Sequence, residues 1–167
     1  MSFYRRNLPH FQRDYKPHFV TFVTKQRNVL SPGDKEIVLR CCIFGHGTGY
    51  NLYVAVVMPD HVHLILAPMT DLLTPMTDLQ RRELYPLYKI LGGIKAYSAR
   101  LINERRGVRR ALWQEESFDH VLRSSESLDA KIAYVLANPV RAGLVNIPED
   151  YPWKWRKRRE VYDSLAM

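Results

Sequence analysis

Asn51–Ala67 reads NLYVAVVMPDHVHLILA, and this stretch decides the fold. Two apolar runs, Asn51–Met58 and His61–Ala67, are parted only by Pro59-Asp60. Runs of this length with a two-residue connection predict an antiparallel hairpin. Residues two apart share one face of a strand. His61 and His63 therefore project together, while Val62, Leu64 and Leu66 project to the other side, toward a core.

Upstream, His18–Thr24 (HFVTFVT) alternates β-branched and aromatic residues and predicts another strand. Ser31-Pro32-Gly33-Asp34 reads as a turn, Glu36–Phe44 as a helix, and Gly45, Gly47 and Gly49 as a break. Downstream, Pro68–Pro75 reads as a loop, and Thr77-x-x-Gln80 resembles a capping box for a helix that Pro86 kinks or restarts. Leu87, Ile90, Leu91, Ile94, Tyr97 and Leu101 keep helical spacing, and Gly107 should end that helix. Trp113–Leu122 shows no clean period, so a fourth strand is left unplaced. A last helix is expected from about Glu126 to Ala137, capped by Ser124 or Ser125 and ended by Asn138-Pro139. The order strand, helix, strand, strand, helix, helix predicts an α+β fold. Its expected form is a ferredoxin-like antiparallel sheet with helices packed on one face. Residues 1–167 are read as a single domain with a basic tail from about position 151.

The chain of 167 residues is 46% hydrophobic, enough to bury an ordinary core. Its net charge of +8 favours an anionic partner, nucleic acid first. No apolar run is long enough for a membrane span, and Met1–Tyr15 is basic rather than signal-like. Cys41 and Cys42 are neighbours, which suits packing in a reducing compartment better than a disulfide. A cytoplasmic, nucleoid-associated protein is the expectation.

Two imidazoles on one strand face can start a metal site, leaving open positions for water or a phosphate oxygen. Against this stands the reading of two exposed or core-lining histidines. On the last helix, taken at about 100° per residue, Leu128, Ile132, Val135 and Leu136 form the apolar stripe. Tyr134 falls off that stripe, with Asn138 one turn along the same side and Lys131 nearby. A tyrosine there can be a plain surface residue. Its hydroxyl can also attack phosphorus to form a covalent ester, with Asn138 lending an oxygen to the same metal.

Val57-Met58-Pro59-Asp60-His61-Val62-His63-Leu64 resembles the signature of the HUH single-tyrosine transposases. Ile132–Val145 resembles their tyrosine helix and the turn after it, and Trp113-Gln114 with Phe118–Arg123 resembles a further block. Tyr4-Arg5-Arg6 and Phe19–Phe22 are similar to their opening strand. Together these resemble the REP-associated branch from about Tyr4 to Trp155. The resemblance implies the HUH palm and Mg²⁺ or Mn²⁺ held by His61 and His63. It also implies Tyr134 as the nucleophile that keeps a 5′-phosphotyrosine link and frees a 3′-hydroxyl. Mobile-element relatives carry a glutamine four residues after the tyrosine, where this chain has the shorter Asn138; Asn-Pro is common in the REP-associated branch. The implied partner is single-stranded or hairpin DNA from repetitive elements, bound by a monomer rather than a dimer with exchanged tyrosine helices.

Arg5 and Arg6 are candidate readers of base edges. Lys95, Arg100, Arg105, Arg106, Arg109 and Arg110 are candidate phosphate contacts, and Arg123, Lys131 and Arg141 surround the tyrosine helix. Trp113 could stack an unpaired base. His120 lies near the site by resemblance, yet a structural bond to backbone is the preferred role. Two rivals stay open: a non-catalytic nucleic-acid-binding module with a ferredoxin-like sheet, and a metal-dependent hydrolase with no covalent step.

Overall fold

The computed structural model describes residues 2–3, 16–69, 86–123 and 127–159. The strands are β1 (Ser2–Phe3), β2 (His18–Thr24), β3 (Tyr50–Val57), β4 (His61–Pro68), β5 (Trp113–Val121) and β6 (Lys154–Arg156). The helices are α1 (Pro32–Phe44), α2 (Leu87–Arg106), α3 (Leu128–Leu136) and α4 (Asn138–Arg141). The strands form one sheet in the order β1-β5-β2-β4-β3-β6, with every neighbouring pair antiparallel. The central β2-α1-β3-β4-α2-β5 succession, with spatial order β5-β2-β4-β3, is the expected ferredoxin-like plan. The hairpin of β3 and β4 forms as the sequence predicts, with Val57 opposite Val62.

Helices cover both faces of the sheet, which amends the one-face expectation. Val20, Phe22, Leu52, Val62, Leu64 and Leu66 pack with α1 and α2. The opposite face carries Phe19, Val54, Val56 and Ile65, which pack with Ile132 and Val135 of α3. A register shift between Leu52 and Val54 resets the alternation of β3. Apolar residues then point both ways, and a sheet greasy on two sides needs cover on two sides.

Local chemistry accounts for the other differences. Ser31-Pro32-Gly33-Asp34 is the first turn of α1 rather than a separate turn. Ser31 Oγ accepts from Asp34 N, Asp34 Oδ2 accepts from Ser31 N, and Pro32 sits where no helical N–H is needed. Trp113–Val121 supplies the fourth strand of the ferredoxin-like core. Helix α3 starts after Ser127, whose hydroxyl accepts from Ala130 N. Asn138-Pro139 does not end helical structure, since Pro139 enters the first turn of α4. Gly107 closes α2 in the left-handed region at φ 65°, as its position predicts. Ser124, Ser125, the Thr77–Gln80 box, Arg5 and Arg6 lie outside the described residues.

The α1–α2 layer is fastened by charge. Asp34 is fully buried and receives Arg105 Nη1 on Oδ1 at 3.0 Å and Arg106 Nη2 on Oδ2. Burial alone would raise its carboxyl; the hydrogen bonds from Arg106 and Ser31 override that and hold it below the usual carboxylate range. Cys41 and Cys42 are buried packing residues in α1. The tail is tied to the sheet: β6 pairs with β3, and the buried Tyr151 hydroxyl donates to Val57 O at 2.6 Å.

Candidate metal and nucleophile site

Strand β4 presents His61 and His63 on the face that α3 covers, as their spacing predicts. Their ring centroids are 4.8 Å apart. Each ring is held through Nδ1. His61 Nδ1 meets Asp60 Oδ1 at 2.6 Å, and His63 Nδ1 meets Thr21 Oγ1 at 2.8 Å from the facing residue of β2. These partners leave Nε2 as the nitrogen for a metal, the arrangement in which outer groups orient imidazole ligands. Asp60 also receives Arg27 Nη1 at 3.3 Å. Burial would raise the Asp60 carboxyl, but His61 and Arg27 hold it low, so it stays an acceptor for His61.

His63 stacks on Phe19, with centroids 5.6 Å apart and planes 18° apart. Burial pushes its pKa down to about 3, helped by the neighbouring His61 and the Arg141 and Lys131 cations. A neutral imidazole with a free lone pair is the form that ligates divalent metals. Among the described residues no group of three or more His, Cys, Asp and Glu could hold a metal. Among the described residues, an ion bound by His61 and His63 would therefore draw on oxygen donors other than carboxylates.

Contacts lead from the histidines to the tyrosine. Lys131 Nζ lies 4.7 Å from the Phe19 centroid and 5.0 Å from that of Tyr134. The Arg141 guanidinium sits over the same tyrosine ring at 4.0 Å. Tyr134 is 50% exposed while Ile132 and Val135 of the same helix are buried, so its ring faces outward between two cations. Arg141 Nη2 donates to Tyr134 O at 2.9 Å and to Asn138 Oδ1 at 2.7 Å. His61, His63, Lys131, Tyr134, Asn138 and Arg141 are thus gathered on one side of the sheet.

Other sequence candidates lie elsewhere. Lys95 of α2 is on the opposite face, where its Nζ donates to Glu115 O at 3.0 Å and Ser117 Oγ at 3.2 Å. Arg100, also on α2, packs over the Tyr97 ring at 5.1 Å. Arg105 and Arg106 are committed to Asp34, so they hold the fold rather than lie along an open phosphate track. Trp113 is not available to stack a base: it is buried edge-on against Phe22 and its Nε1 donates to Ser98 Oγ at 3.0 Å. Arg123 is exposed just after β5. His120 pairs in register with Phe19, on the histidine side of the sheet. Thr21, Asp60 and Phe19 were missed by sequence reasoning as orienting groups. The only signal for them was local: Asp60 directly precedes the pair, and Phe19 and Thr21 alternate along one face of β2.

A ferredoxin-like sheet whose inner strand carries His-x-His beneath a tyrosine-bearing helix has the architecture of an HUH palm. The solved structure of the REP-associated tyrosine transposase bound to a REP hairpin is similar to this chain, with a TM-score of 0.62 and 20% identity. The likeness covers 88% of this chain and 82% of that one, so the chain shares the fold of that structure. A protein from Deinococcus radiodurans R1, provisionally assigned as a transposase, is similar at 23% identity and a TM-score of 0.44, over 78% of this chain and 96% of that one. No family model and no curated sequence matches the chain. Among the described residues, no helix is long and apolar enough to cross a membrane.

Proposed function

We propose that this protein is an HUH single-tyrosine nickase and strand transferase that acts on hairpin-forming single-stranded DNA from repetitive elements. The carrying observation is the run of contacts from His63 through Phe19 and Lys131 to Tyr134 and Arg141. It joins a two-histidine metal half-site to an exposed tyrosine flanked by cations. The DNA-bound structural neighbour supports hairpin DNA as the ligand class.

His61 and His63 would hold Mg²⁺ or Mn²⁺ through Nε2, with Asn138 Oδ1 as the third protein donor. That ion, when bound, withdraws charge from a non-bridging oxygen of the scissile phosphate. The remaining work falls to side chains. Lys131 and Arg141 bind and orient the phosphate beside Tyr134. Tyr134 Oη attacks phosphorus, the bond from phosphorus to the 3′ oxygen breaks, and the tyrosyl proton passes to solvent while the leaving oxygen gains one. The product is a 5′-phosphotyrosine and a free 3′-hydroxyl. The ester keeps the energy of the broken bond, so a second 3′-hydroxyl can reverse the step and join strands. Arg123 and, from outside the described residues, Arg5 and Arg6 extend the DNA contact. Lys95 and Arg100, on the far face, would touch only flanking DNA.

The test uses end-labelled single-stranded hairpins from repeats near the gene, with Mn²⁺ or EDTA, on a denaturing gel. Wild type should give a metal-dependent protein–DNA adduct that Tyr134→Phe and His61→Ala both lack. Cleavage without an adduct would instead mark a hydrolase. Binding with neither would mark a non-catalytic nucleic-acid-binding module.

A further inference from the structure

The Asn138 carboxamide is held in a costly orientation. Its Oδ1 accepts from Arg141, while its Nδ2 is buried with no hydrogen-bond partner among the described residues. Turning the amide over would set its NH₂ group against the guanidinium, donor facing donor. Arg141 therefore decides which end of the amide points where, and the orphaned Nδ2 is the consequence. The same Nη2 is anchored on Tyr134 O, so one side chain ties together the tyrosine backbone, the tyrosine ring and the amide.

We propose that Arg141 is a latch: in the DNA-free protein it occupies the amide oxygen that the two histidines lack as a third donor, and the phosphate of a bound strand draws it away. This rests on the metal and tyrosine reading above. A guanidinium binds phosphate through two parallel charge-assisted hydrogen bonds, whereas a neutral amide offers one weaker acceptor. Arg141 is exposed at the end of α4, so its guanidinium can swing to a phosphate while its backbone stays in place. Moving the cation off Oδ1 frees that oxygen and removes a positive charge from beside it. Metal and single strand then bind with positive coupling, each raising the affinity for the other by one factor. Arg141 in this account positions Asn138 and Tyr134 in the DNA-free protein and binds the phosphate in the DNA complex.

The experiment is a Mn²⁺ titration followed by electron paramagnetic resonance of the free ion, which reads binding and not turnover. It compares wild type, Arg141→Ala, Asn138→Ala, the double variant and His61→Ala without DNA. Tyr134→Phe and Tyr134→Phe/Arg141→Ala are then titrated with and without a single-stranded hairpin. Arg141→Ala should tighten Mn²⁺ about tenfold without DNA, the scale of a hydrogen bond to a charged group. Adding Asn138→Ala should cancel that gain. DNA should tighten Mn²⁺ by a clearly larger factor when Arg141 is present than when it is absent, where only the contact of the phosphate with the ion remains. An Arg141→Ala protein that binds Mn²⁺ no better overturns the latch. So does a gain that survives Asn138→Ala, which would be removal of charge alone. If His61→Ala binds Mn²⁺ like wild type, the histidine metal site falls, and the latch with it. If His61→Ala loses the ion while Arg141→Ala gains nothing, the latch alone falls.

Discussion

Asp34→Asn tests whether charge fastens the helical layer. The carboxylate is fully buried and bound by Arg105, Arg106 and the Ser31 backbone N–H. The Arg105 side chain is 51% exposed, so its pair is screened and contributes roughly 0.5–1 kcal/mol. The Arg106 side chain is only 25% exposed, and a hydrogen bond between charged groups there contributes roughly 1.5–3 kcal/mol. Asparagine can still accept from Ser31, so the cap survives in part, but its NH₂ group must face a guanidinium. The expected loss is about 3 kcal/mol, which for a chain of this size lowers the melting temperature by roughly 6–12 °C. The pH dependence has a definite sign. The folded carboxyl is held below its usual value of 3.8, so its contribution is complete above that pH and is lost as pH falls through the lower folded value. Urea unfolding by circular dichroism at pH 7 and pH 3 measures both effects. The gap between wild type and variant should be widest at pH 7 and narrower at pH 3. A variant within 0.5 kcal/mol of wild type at pH 7 would refute the reasoning, about the scatter of ordinary surface substitutions. So would a gap that stays constant with pH.

Gly92 and Gly93 sit exposed inside α2 with open space where a Cβ would lie. Each Gly→Ala change should stabilise by about 0.5–1 kcal/mol in urea unfolding; a loss would mean that another group packs closely there. Thr21→Val removes the 2.8 Å bond to His63 Nδ1, and Asp60→Asn replaces the charged partner of His61. Each should weaken Mn²⁺ binding roughly 10–100-fold in calorimetry with little change in melting temperature. Unchanged affinity would show that these contacts do not orient ligands.

Much of the architecture was legible because period and burial agree. In β4 Val62, Leu64 and Leu66 are fully buried against the α1–α2 layer, and the same alternation puts His61 and His63 on the other face, half-buried, with the buried Ile65 beyond them. Tyr134 falls off the apolar stripe for the same reason, and it is half exposed while Ile132 and Val135 are buried. Strand β5 was illegible because, among the described residues, its outer neighbour is the two-residue β1. Near a sheet edge, polar residues can occupy both faces, and WQEESFDHV then shows no period.

By itself, then, the sequence determined the hairpin, the face of its two histidines and the apolar stripe of the tyrosine helix, since each follows from local backbone geometry. Tertiary structure decided what those residues meet. Arg105 and Arg106 looked like phosphate contacts until the fold brought them to Asp34, 71 and 72 residues away. The second helical face of the sheet depended on a register shift in β3 that no propensity announces. The Asn138 Nδ2, without a partner among the described residues, is set by Arg141, which folds back over Tyr134 onto Oδ1, and a hydrogen bond between side chains is fixed by positions in space that spacing along the chain does not specify.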